Sequence, residues 1–384
     1  MSSVNHVYFD HNATTPVDER VLAAMLPYLK DQHGNASSRH EFGTVARQAI
    51  DRAREQVAAL VGVQPVQVVF TSGGTEANNL FVRGAAAGMK PGRIAISGIE
   101  HSCVVAPAQE LVRQGWMLRR LAVTRDGTVD PADVDAALAE KPALVSVMLA
   151  NNETGVIQDV AAIGERARRA GAVMHTDAVQ ALGKIPVDFP SLNVQAMTLS
   201  AHKVYGPKGA GALVVDKRLD LRAVQGGGGQ ERGLRGGTEN VPAIVGFGMA
   251  CEIAGGRLGE LGTRLAALRD RLERGLHGMG AVIFGGQAPR LPNTSFFAFS
   301  GIVGETLVIE LDKAGFAVGT GAACSSSSHA PPPTLTAMGF EPEVARGALR
   351  FSLGAANTAG EVDAFLQALS AVTQRLRRLS AVTA

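Results

Sequence analysis

The residues with the clearest chemical potential lie in the tetrapeptide 200–203, Ser-Ala-His-Lys. It follows a mostly apolar run, 194–199, that predicts a buried strand, and it precedes a glycine-rich turn. Lys203 therefore lies where a strand ends and the chain turns, and a lysine in this place can form a Schiff base with an aldehyde cofactor. A lone lysine in a polar turn is more often an ordinary surface residue, so the neighbouring strand ends decide between the two interpretations.

Polar groups also follow three other predicted strands, at the point where each strand ends. The carboxyl ends of parallel strands meet at one edge of a sheet, where α/β proteins bind their ligands. Each set alone is explained by a turn or a helix cap, but four such sets at one edge indicate a binding site. The three additional sets are Glu100 with His101, residues 151–155, and Asp177 with Gln180.

The glycine-rich segment 71–76, Thr-Ser-Gly-Gly-Thr-Glu, opens a predicted helix. The unpaired N–H groups and the positive dipole of a helix N-terminus suit a phosphate, and Thr75 adds a hydroxyl. An ordinary helix cap with Glu76 in the first turn is the alternative. The sequence has no G-x-G-x-x-G turn after a strand and no G-x-x-x-x-G-K-[ST] loop, which argues against a dinucleotide or a nucleoside triphosphate.

These groups together match the needs of pyridoxal phosphate. That cofactor needs a lysine for its aldehyde, a carboxylate that keeps the ring nitrogen protonated, a group over the ring face, and donors for the phosphate. The residues that supply these functions in turn are Lys203, Asp177, His101, and the set Thr75, Ser200 and His202.

Predicted strands and helices alternate between residues 66 and 215. This alternation predicts an α/β domain with a mainly parallel, seven-stranded sheet and helices on both faces. After the glycine run 226–229, a long helix and several short strands predict a smaller α+β domain. We place the large domain at 15–260 and the small domain at 1–14 and 261–384.

Composition restricts the partners and the compartment. The net charge of +2 gives no reason to expect nucleic acid or an anionic membrane as a partner. No apolar run reaches the roughly 18 residues of a membrane span, and no signal peptide is recognisable. The three cysteines are too widely spaced for a disulfide framework or a zinc site, which favours a reducing, cytoplasmic location.

Eight motifs carry a resemblance to a known family over nearly the whole chain. The chain resembles the cysteine desulfurases of the nitrogen-fixation and iron–sulfur-assembly type, which are fold-type I pyridoxal phosphate enzymes of the class V aminotransferase group. The resemblance implies a transferase that converts L-cysteine to L-alanine. The motifs span residues 10–16 (Asp-His-Asn-Ala-Thr-Thr-Pro), 70–76, 100–101, 150–155, 175–180, 200–203, 235–240 and 350–354.

The resemblance implies roles for the residues around the cofactor ring. Lys203 would carry the cofactor as an internal aldimine and would move the substrate α-proton. Asp177 would pair with the pyridine nitrogen, and Gln180 would contact the ring oxygen. His101 would stack on the ring and act as an acid or base.

The resemblance also implies how the phosphate and the substrate are held. Asn152, which adjoins the cofactor, and Arg350 would bind the substrate α-carboxylate, for which an arginine fork has the right geometry. Thr238 would reach the phosphate from the partner subunit of a homodimer with two composite active sites. The phosphate ligands within one subunit would be Gly74, Thr75, Ser200 and His202.

Cys324 lies in the segment 319–328, whose residues are nearly all small. The family's nucleophile lies in such a loop, so the resemblance implies that Cys324 attacks the substrate sulfur and keeps it as a persulfide. Reactivity then depends on the thiolate and on its exposure. The sulfur would pass to an acceptor protein, an iron–sulfur scaffold or a sulfur-relay protein. Cys103 and Cys251 are interpreted as buried structural residues.

The same loop departs from the family pattern at two places. Ala322 stands where the family usually has serine, and His329 with the prolines 331–333 replaces a glutamate–proline–serine stretch that opens a helix. Three prolines fix φ and remove three backbone donors, so we expect a stiffer C-terminal side of the loop. No resident metal is expected, although Cys324 could ligate a transient iron–sulfur centre with a scaffold partner.

Two alternative functions are also compatible with the sequence. A selenocysteine lyase, or another class V lyase or aminotransferase, would share the cofactor residues and could dispense with the thiol. A non-catalytic sulfur-relay scaffold would keep the fold alone, but the intact Lys203, Asp177 and Arg350 argue against it. The sequence does not identify the sulfur acceptor.

Overall fold

The computed structural model describes residues 6–321 and 330–383. Within these ranges the chain forms thirteen strands and eleven α-helices. The strands are β1 (Val7–Tyr8), β2 (Val68–Thr71), β3 (Arg93–Ser97), β4 (Met117–Leu121), β5 (Leu144–Ser146), β6 (Val173–Asp177), β7 (Ala196–Ser200), β8 (Gly211–Val215), β9 (Val282–Ile283), β10 (Thr294–Ala298), β11 (Phe316–Ala317), β12 (Gly319–Thr320) and β13 (Leu349–Ser352). The helices are α1 (Glu19–Lys30), α2 (Glu41–Leu60), α3 (Gly74–Ala87), α4 (Ser102–Arg113), α5 (Pro131–Ala139), α6 (Val160–Arg169), α7 (Val241–Gly278), α8 (Gly304–Lys313), α9 (Pro333–Ala337), α10 (Pro342–Arg346) and α11 (Ala359–Thr383).

The larger unit is built on a seven-stranded sheet in the order β2-β8-β7-β6-β5-β3-β4. All neighbouring strands are parallel except β8, which is antiparallel to β2 and β7. Strands β2, β7 and β8 are buried along their whole length, as expected for a sheet covered on both faces by helices. The prediction of a mainly parallel, seven-stranded α/β fold is confirmed.

Apolar cores form on both faces of this sheet. On one face, Met174 and Leu199 pack with the helices α2 and α7, the latter through Phe247. On the other face, Phe81 of α3 and Val104 of α4 pack against the sheet. The two layers leave the carboxyl ends of the strands as one polar edge.

The smaller unit contains an antiparallel sheet in the order β12-β13-β10-β9. Its core includes a stack of phenylalanines, in which the ring of Phe351 lies 4.2 Å from that of Phe9 and 4.8 Å from that of Phe365, measured between centroids. Strand β1 pairs with β11, so the N-terminal segment packs in this unit. From there it runs to the edge of the large sheet.

Helix α7 connects the two cores. Its first half contributes Ile244 and Phe247 to the large core, and its second half contributes Leu265 and Leu272 to the small one. By length and composition alone α7 could cross a membrane, but half of its most apolar stretch is buried inside the protein, as in a core helix. The predicted domain boundary at 260 falls within this helix and stays a prediction.

Candidate active site

Lys203 lies at the carboxyl end of β7, in a short 3-10 turn. Its Nζ donates hydrogen bonds to the main-chain oxygens of Asn12 and Ala13, the latter at 2.7 Å. The N–H of Thr15 in turn donates to the carbonyl of His202 at 2.9 Å. The predicted cofactor lysine is therefore held between the end of β7 and the N-terminal segment.

Asp177 ends β6, the strand next to β7, and its carboxyl group is buried. Its Oδ2 accepts a hydrogen bond from Asn78 Nδ2 at 2.7 Å, and its Oδ1 accepts one from the Val179 N–H at 3.0 Å. Burial raises the pKa of Asp177, whereas these hydrogen bonds and the nearby His101 and Lys203 oppose the rise. A buried carboxyl in this place is stabilised as an anion by a cation, which a protonated pyridine nitrogen would supply.

His101 caps the N-terminus of α4 beside Asp177. Its Nδ1 accepts a hydrogen bond from the Cys103 N–H at 3.3 Å and lies 2.9 Å from Cys103 Sγ. Burial lowers the pKa of His101, while the charge of Asp177 raises it. The ring is therefore tuned by its neighbours, as expected for a group that exchanges protons.

Asn78 and Cys103 are site residues that the sequence reasoning missed. Asn78 is a fully buried polar residue of α3, and its Nδ2 lies 2.9 Å from Cys103 Sγ as well as bonding Asp177. Cys103 is buried as expected. Its Sγ also contacts His101, so it belongs to the site as well as to the core. The sequence feature that could have indicated Asn78 is its place within the first two turns of the helix that follows the glycine-rich segment.

The first turn of α3 and the end of β7 form a pocket for an anion. A side chain at Gly74 would fill it, because a Cβ there would lie 3.0 Å from Val179 Cγ2 and 3.7 Å from Ser200 Cβ. Ser200 Oγ is buried and has no hydrogen-bond partner among the described residues. Thr75 is exposed at the second position of the helix. The free helix N–H groups and the unpaired hydroxyl fit a phosphate.

His202 lies next to this pocket, with its Nδ1 3.1 Å from Thr14 Oγ1. Burial, followed by the charge of Lys203, lowers the pKa of His202 to about 4. The ring is therefore neutral at physiological pH and can present an N–H donor to an anion. Thr238 is exposed in this single chain, and its predicted reach into a partner subunit's site stays a prediction.

Arg350 belongs to β13 of the smaller sheet, and its buried side chain reaches the polar edge of the large sheet. Its Nη2 forms an ion pair with Asp10 Oδ1 at 2.8 Å, and its Nη1 donates to the Asn152 carbonyl at 3.2 Å. Its Nε is buried and has no partner among the described residues. The structure thus brings the two predicted substrate ligands together and leaves an N–H group for a carboxylate.

Asn12 joins these groups, although the sequence reasoning gave it no role. Its carbonyl accepts from Lys203 and from Gln180 Nε2, the latter at 2.9 Å. Its Nδ2 donates to Thr294 Oγ1 at 2.9 Å and to the Asn152 carbonyl at 3.2 Å. Gln180, which was expected near the cofactor ring oxygen, is thus tied to the N-terminal segment.

Comparisons with known proteins extend these observations. The aminotransferase class-V family model matches residues 7–365. The chain belongs to the class-V aminotransferase family. A curated relative, the cysteine desulfurase IscS of Anaeromyxobacter dehalogenans, is 44% identical and aligns over 97% of this chain and 94% of its own. The resemblance inferred from the motifs is confirmed.

Solved structures show the same fold. A NifS-like protein superposes with a TM-score of 0.91 at 38% identity, covering 96% of this chain and 99% of its own. SspA in complex with cysteine superposes with a TM-score of 0.81 at 33% identity, covering 90% of this chain and 98% of its own. The family fold therefore extends over nearly all of this chain.

Two carboxylic acids with buried oxygens adjoin the site, Glu100 and Glu153, and the sequence predicts both at this edge without indicating a role for either. Glu100 Oε1 accepts from Ser97 Oγ and the Met148 N–H, each at 2.7 Å, and burial raises the pKa of Glu100 to about 8. Burial also raises the pKa of Glu153 to about 7, although a hydrogen bond from Thr334 opposes the rise. At pH 7 the carboxyl of Glu100 is therefore largely protonated, whereas that of Glu153 is about half protonated.

Cys324 lies outside the described residues, as do Ala322 and His329. The residues that flank this gap approach one another, because a Cβ at Gly321 would lie 2.7 Å from Pro332 Cγ. Pro333 occupies the first position of α9, where a missing N–H costs nothing. A helix thus follows the loop, and the expected effect of the prolines on the loop stays a prediction.

Proposed function

We propose that this chain is a pyridoxal phosphate-dependent L-cysteine desulfurase. The observation that carries the proposal is the meeting of Lys203 and Asp177 from the large sheet with Arg350 from the small one. The names of the relatives, which are cysteine desulfurases, support the same activity. Bound pyridoxal phosphate supplies an electron sink for negative charge that develops at the substrate α-carbon.

The residues of the large sheet bind and orient the cofactor. Asp177 would hold the pyridine nitrogen in its protonated form, and His101 would lie against the cofactor ring. Lys203 would carry the cofactor through its amine and would then move the substrate α-proton, and the carbonyl oxygens of Asn12 and Ala13 hold that amine at the end of β7. Ser200 Oγ, His202 and the first turn of α3 would bind the phosphate.

Arg350 and Asn152 fix the substrate. The unpaired Nε of Arg350 is a charge-assisted donor for the α-carboxylate of L-cysteine. The ion pair with Asp10 holds the guanidinium in its orientation. A carboxylate bound here is placed between the two units, so substrate binding depends on both.

Cys324 accepts the sulfur. Its thiolate attacks the substrate sulfur, an S–S bond forms, and the C–S bond breaks. The electron pair of that bond remains with the carbon skeleton, which takes up a proton and leaves as L-alanine. One cysteine and one thiol thus give one alanine and one persulfide, with no external oxidant or reductant.

The enzyme would act as a cytoplasmic homodimer that passes the persulfide sulfur to an acceptor protein of iron–sulfur assembly or of a sulfur relay. The exposed Thr238, next to the N-terminus of α7, supports a contribution from the partner subunit. The three widely spaced cysteines, which fit neither a disulfide framework nor a zinc site, support a reducing location. The acceptor is proposed by class only.

Product analysis tests the proposal. Purified enzyme should form alanine from L-cysteine and show a visible cofactor absorbance band that Lys203→Ala abolishes. Cys324→Ala should keep the band and lose sulfide release. A wild-type enzyme that releases selenide from selenocysteine but forms little alanine from cysteine would instead indicate a selenocysteine lyase.

A further inference from the structure

A second lysine amine, that of Lys184, lies beside the candidate active site. Lys184 follows β6 and lines a small pocket together with Lys203 and His11. Its Nζ donates hydrogen bonds to Asn12 Oδ1 at 3.0 Å and to Gln180 Oε1 at 2.7 Å. Both acceptors are uncharged amide oxygens, and Lys184 takes part in no ion pair within residues 6–321 and 330–383.

A charge on Lys184 would be costly in these surroundings. The residue is partly withdrawn from water, and Lys203 and Arg350 place positive charge nearby. Burial, followed by these two cations, lowers the pKa of Lys184 well below its ordinary value. A buried ammonium without a counter-charge is expected to lose its proton.

Among the described residues, no carboxylate lines the pocket around Lys184. Burial lowers the pKa of His11 and of His202 to about 4, so both rings are neutral near pH 7. Burial raises the pKa of Tyr205, which keeps its hydroxyl protonated. The titratable groups that line this pocket within the described residues are therefore neutral or positive, and the carboxylate of Asp10 is paired with Arg350.

The hydrogen bonds fit an uncharged amine. A protonated lysine has three N–H donors, whereas a neutral amine has two donors and a lone pair. Lys184 has two acceptors, one on Asn12 and one on Gln180. The third position of a charged ammonium has no acceptor among the described residues.

We propose that Lys184 is an uncharged positioning residue, which orients Gln180 and Asn12 so that the Asn12 carbonyl holds the Lys203 amine in place. The inference rests on the proposed function, in which Lys203 carries the cofactor. Because Gln180 Oε1 accepts from Lys184, its Nε2 is directed to the Asn12 carbonyl at 2.9 Å. The same carbonyl accepts from Lys203.

Removal of Lys184 should act on Gln180 before it acts on the substrate ligands. Asn12 would keep hydrogen bonds with Asn293 at 3.1 Å and with Thr294 at 2.9 Å, which hold its side-chain amide. Gln180 would lose the donor that fixes which way its amide points. Arg350 would retain its ion pair with Asp10. The loss should therefore fall on turnover and spare substrate affinity.

Kinetics of the full-length holoenzyme test the positioning role. Lys184→Met should lower kcat for alanine formation at least about 10-fold and change KM for cysteine by less than about threefold. Lys90→Met is the matched control, since Lys90 is exposed and lies before β3 at the opposite edge of the sheet. It should match the wild type. A Lys184→Met enzyme with the kcat of this control would overturn the proposal.

A pH titration of the visible cofactor band tests the charge. If Lys184 is uncharged, its replacement by methionine should move the midpoint by less than about 0.3 pH unit. A charged Lys184 would oppose proton binding at Lys203, so its removal would raise the midpoint by about one unit or more. That result would overturn the uncharged state.

Wild-type enzyme offers a test that does not need the variant to fold. The chain has eight lysines, so ε-carbon labelling with ¹³C gives a simple NMR spectrum. The Lys184 signal should titrate well below the ordinary value of about 10.4, and a midpoint near that value would contradict the proposal. A wild type that makes no alanine would instead contradict the proposed function, and an active wild type with an unaffected Lys184→Met would contradict this inference alone.

Discussion

Asn78 donates a hydrogen bond from its Nδ2 to Asp177 Oδ2 at 2.7 Å. The same nitrogen lies 2.9 Å from Cys103 Sγ, which is itself 2.9 Å from His101 Nδ1. The carboxylate proposed for the pyridine nitrogen and the imidazole proposed for the ring face are thus linked through side chains of α3 and α4. The helices that cover the sheet therefore also set the electrostatics of its edge.

Asn78→Ala should lower kcat by about 10-fold or more. The change removes a hydrogen bond to a charged group, worth roughly 1.5–3 kcal/mol, and leaves the Asp177 carboxylate less stabilised. Steady-state kinetics on cysteine measure the effect. Asn79→Ala is the control, because the Asn79 side chain donates to the Thr75 carbonyl of its own helix and does not contact Asp177 through a hydrogen bond in the described part of the chain. Equal losses in both variants would contradict a specific role for Asn78.

Ser200→Ala should weaken cofactor binding. The hydroxyl has no other partner among the described residues, and a hydrogen bond to a phosphate is worth roughly 1.5–3 kcal/mol, which predicts a rise of about 10–100-fold in Kd. Equilibrium titration of apoenzyme with pyridoxal phosphate measures it. Ser295→Ala removes another buried, unpaired serine hydroxyl, in β10, and should leave Kd unchanged. A weakened Ser295→Ala with an unaffected Ser200→Ala would show the phosphate site to be misplaced.

Arg350→Lys should raise KM for cysteine and change cofactor binding little. Lysine keeps the charge for Asp10 but loses the fork that binds a carboxylate through two N–H groups. Truncating one partner of a buried charge pair costs roughly 2–5 kcal/mol, so Arg350→Ala should lose at least about 30-fold in kcat/KM. Kinetics on cysteine, with the visible band as a check of cofactor content, test this. A normal KM in both variants would remove Arg350 from the substrate site.

Glu100→Gln should make stability less dependent on pH. Glu100 has a folded pKa of about 8 against an ordinary value of 4.5, so between these values the folded state holds a proton that the unfolded chain releases. The free energy of unfolding therefore falls as pH rises through this range, by up to about 1.4 kcal/mol per unit. Glutamine keeps the acceptor for Ser97 and Met148 and removes this term.

Urea unfolding of wild type and Glu100→Gln at several pH values measures the difference. The variant should gain stability relative to the wild type from about pH 5 to pH 8, and the gain should level off above pH 8. A gain that is equal at pH 5 and pH 8 would mean that the carboxyl of Glu100 is ionised throughout this range.

The sequence was sufficient to predict the sheet and the groups at its edge, because both follow from local order. Apolar runs that end in polar residues predict where Asp177 and Lys203 must meet once the strands are parallel. The contacts of Asn12 were not predictable in this way. Its partners Lys203 and Thr294 are far away along the chain, and only the packing of β1 on β11 brings it to them.

Lys184 and Cys103 show a second reason why some site residues could not be predicted from the sequence. A lysine in a polar loop and a cysteine near a helix start carry no local sign of their surroundings. Their roles depend on how far they are withdrawn from water and on which amide or imidazole faces them. Such features depend on the packed structure, and they leave no pattern in the local sequence.

The most direct test of the account follows the sulfur itself. Enzyme loaded with pyridoxal phosphate should be mixed with one equivalent of L-cysteine per subunit without reductant or acceptor, and alanine and modified peptides should be measured by mass spectrometry. The account predicts about one alanine per subunit and one added sulfur atom on the peptide that contains Cys324. Sulfur on Cys103 or Cys251, or alanine formation at the wild-type rate in Cys324→Ala, would contradict it.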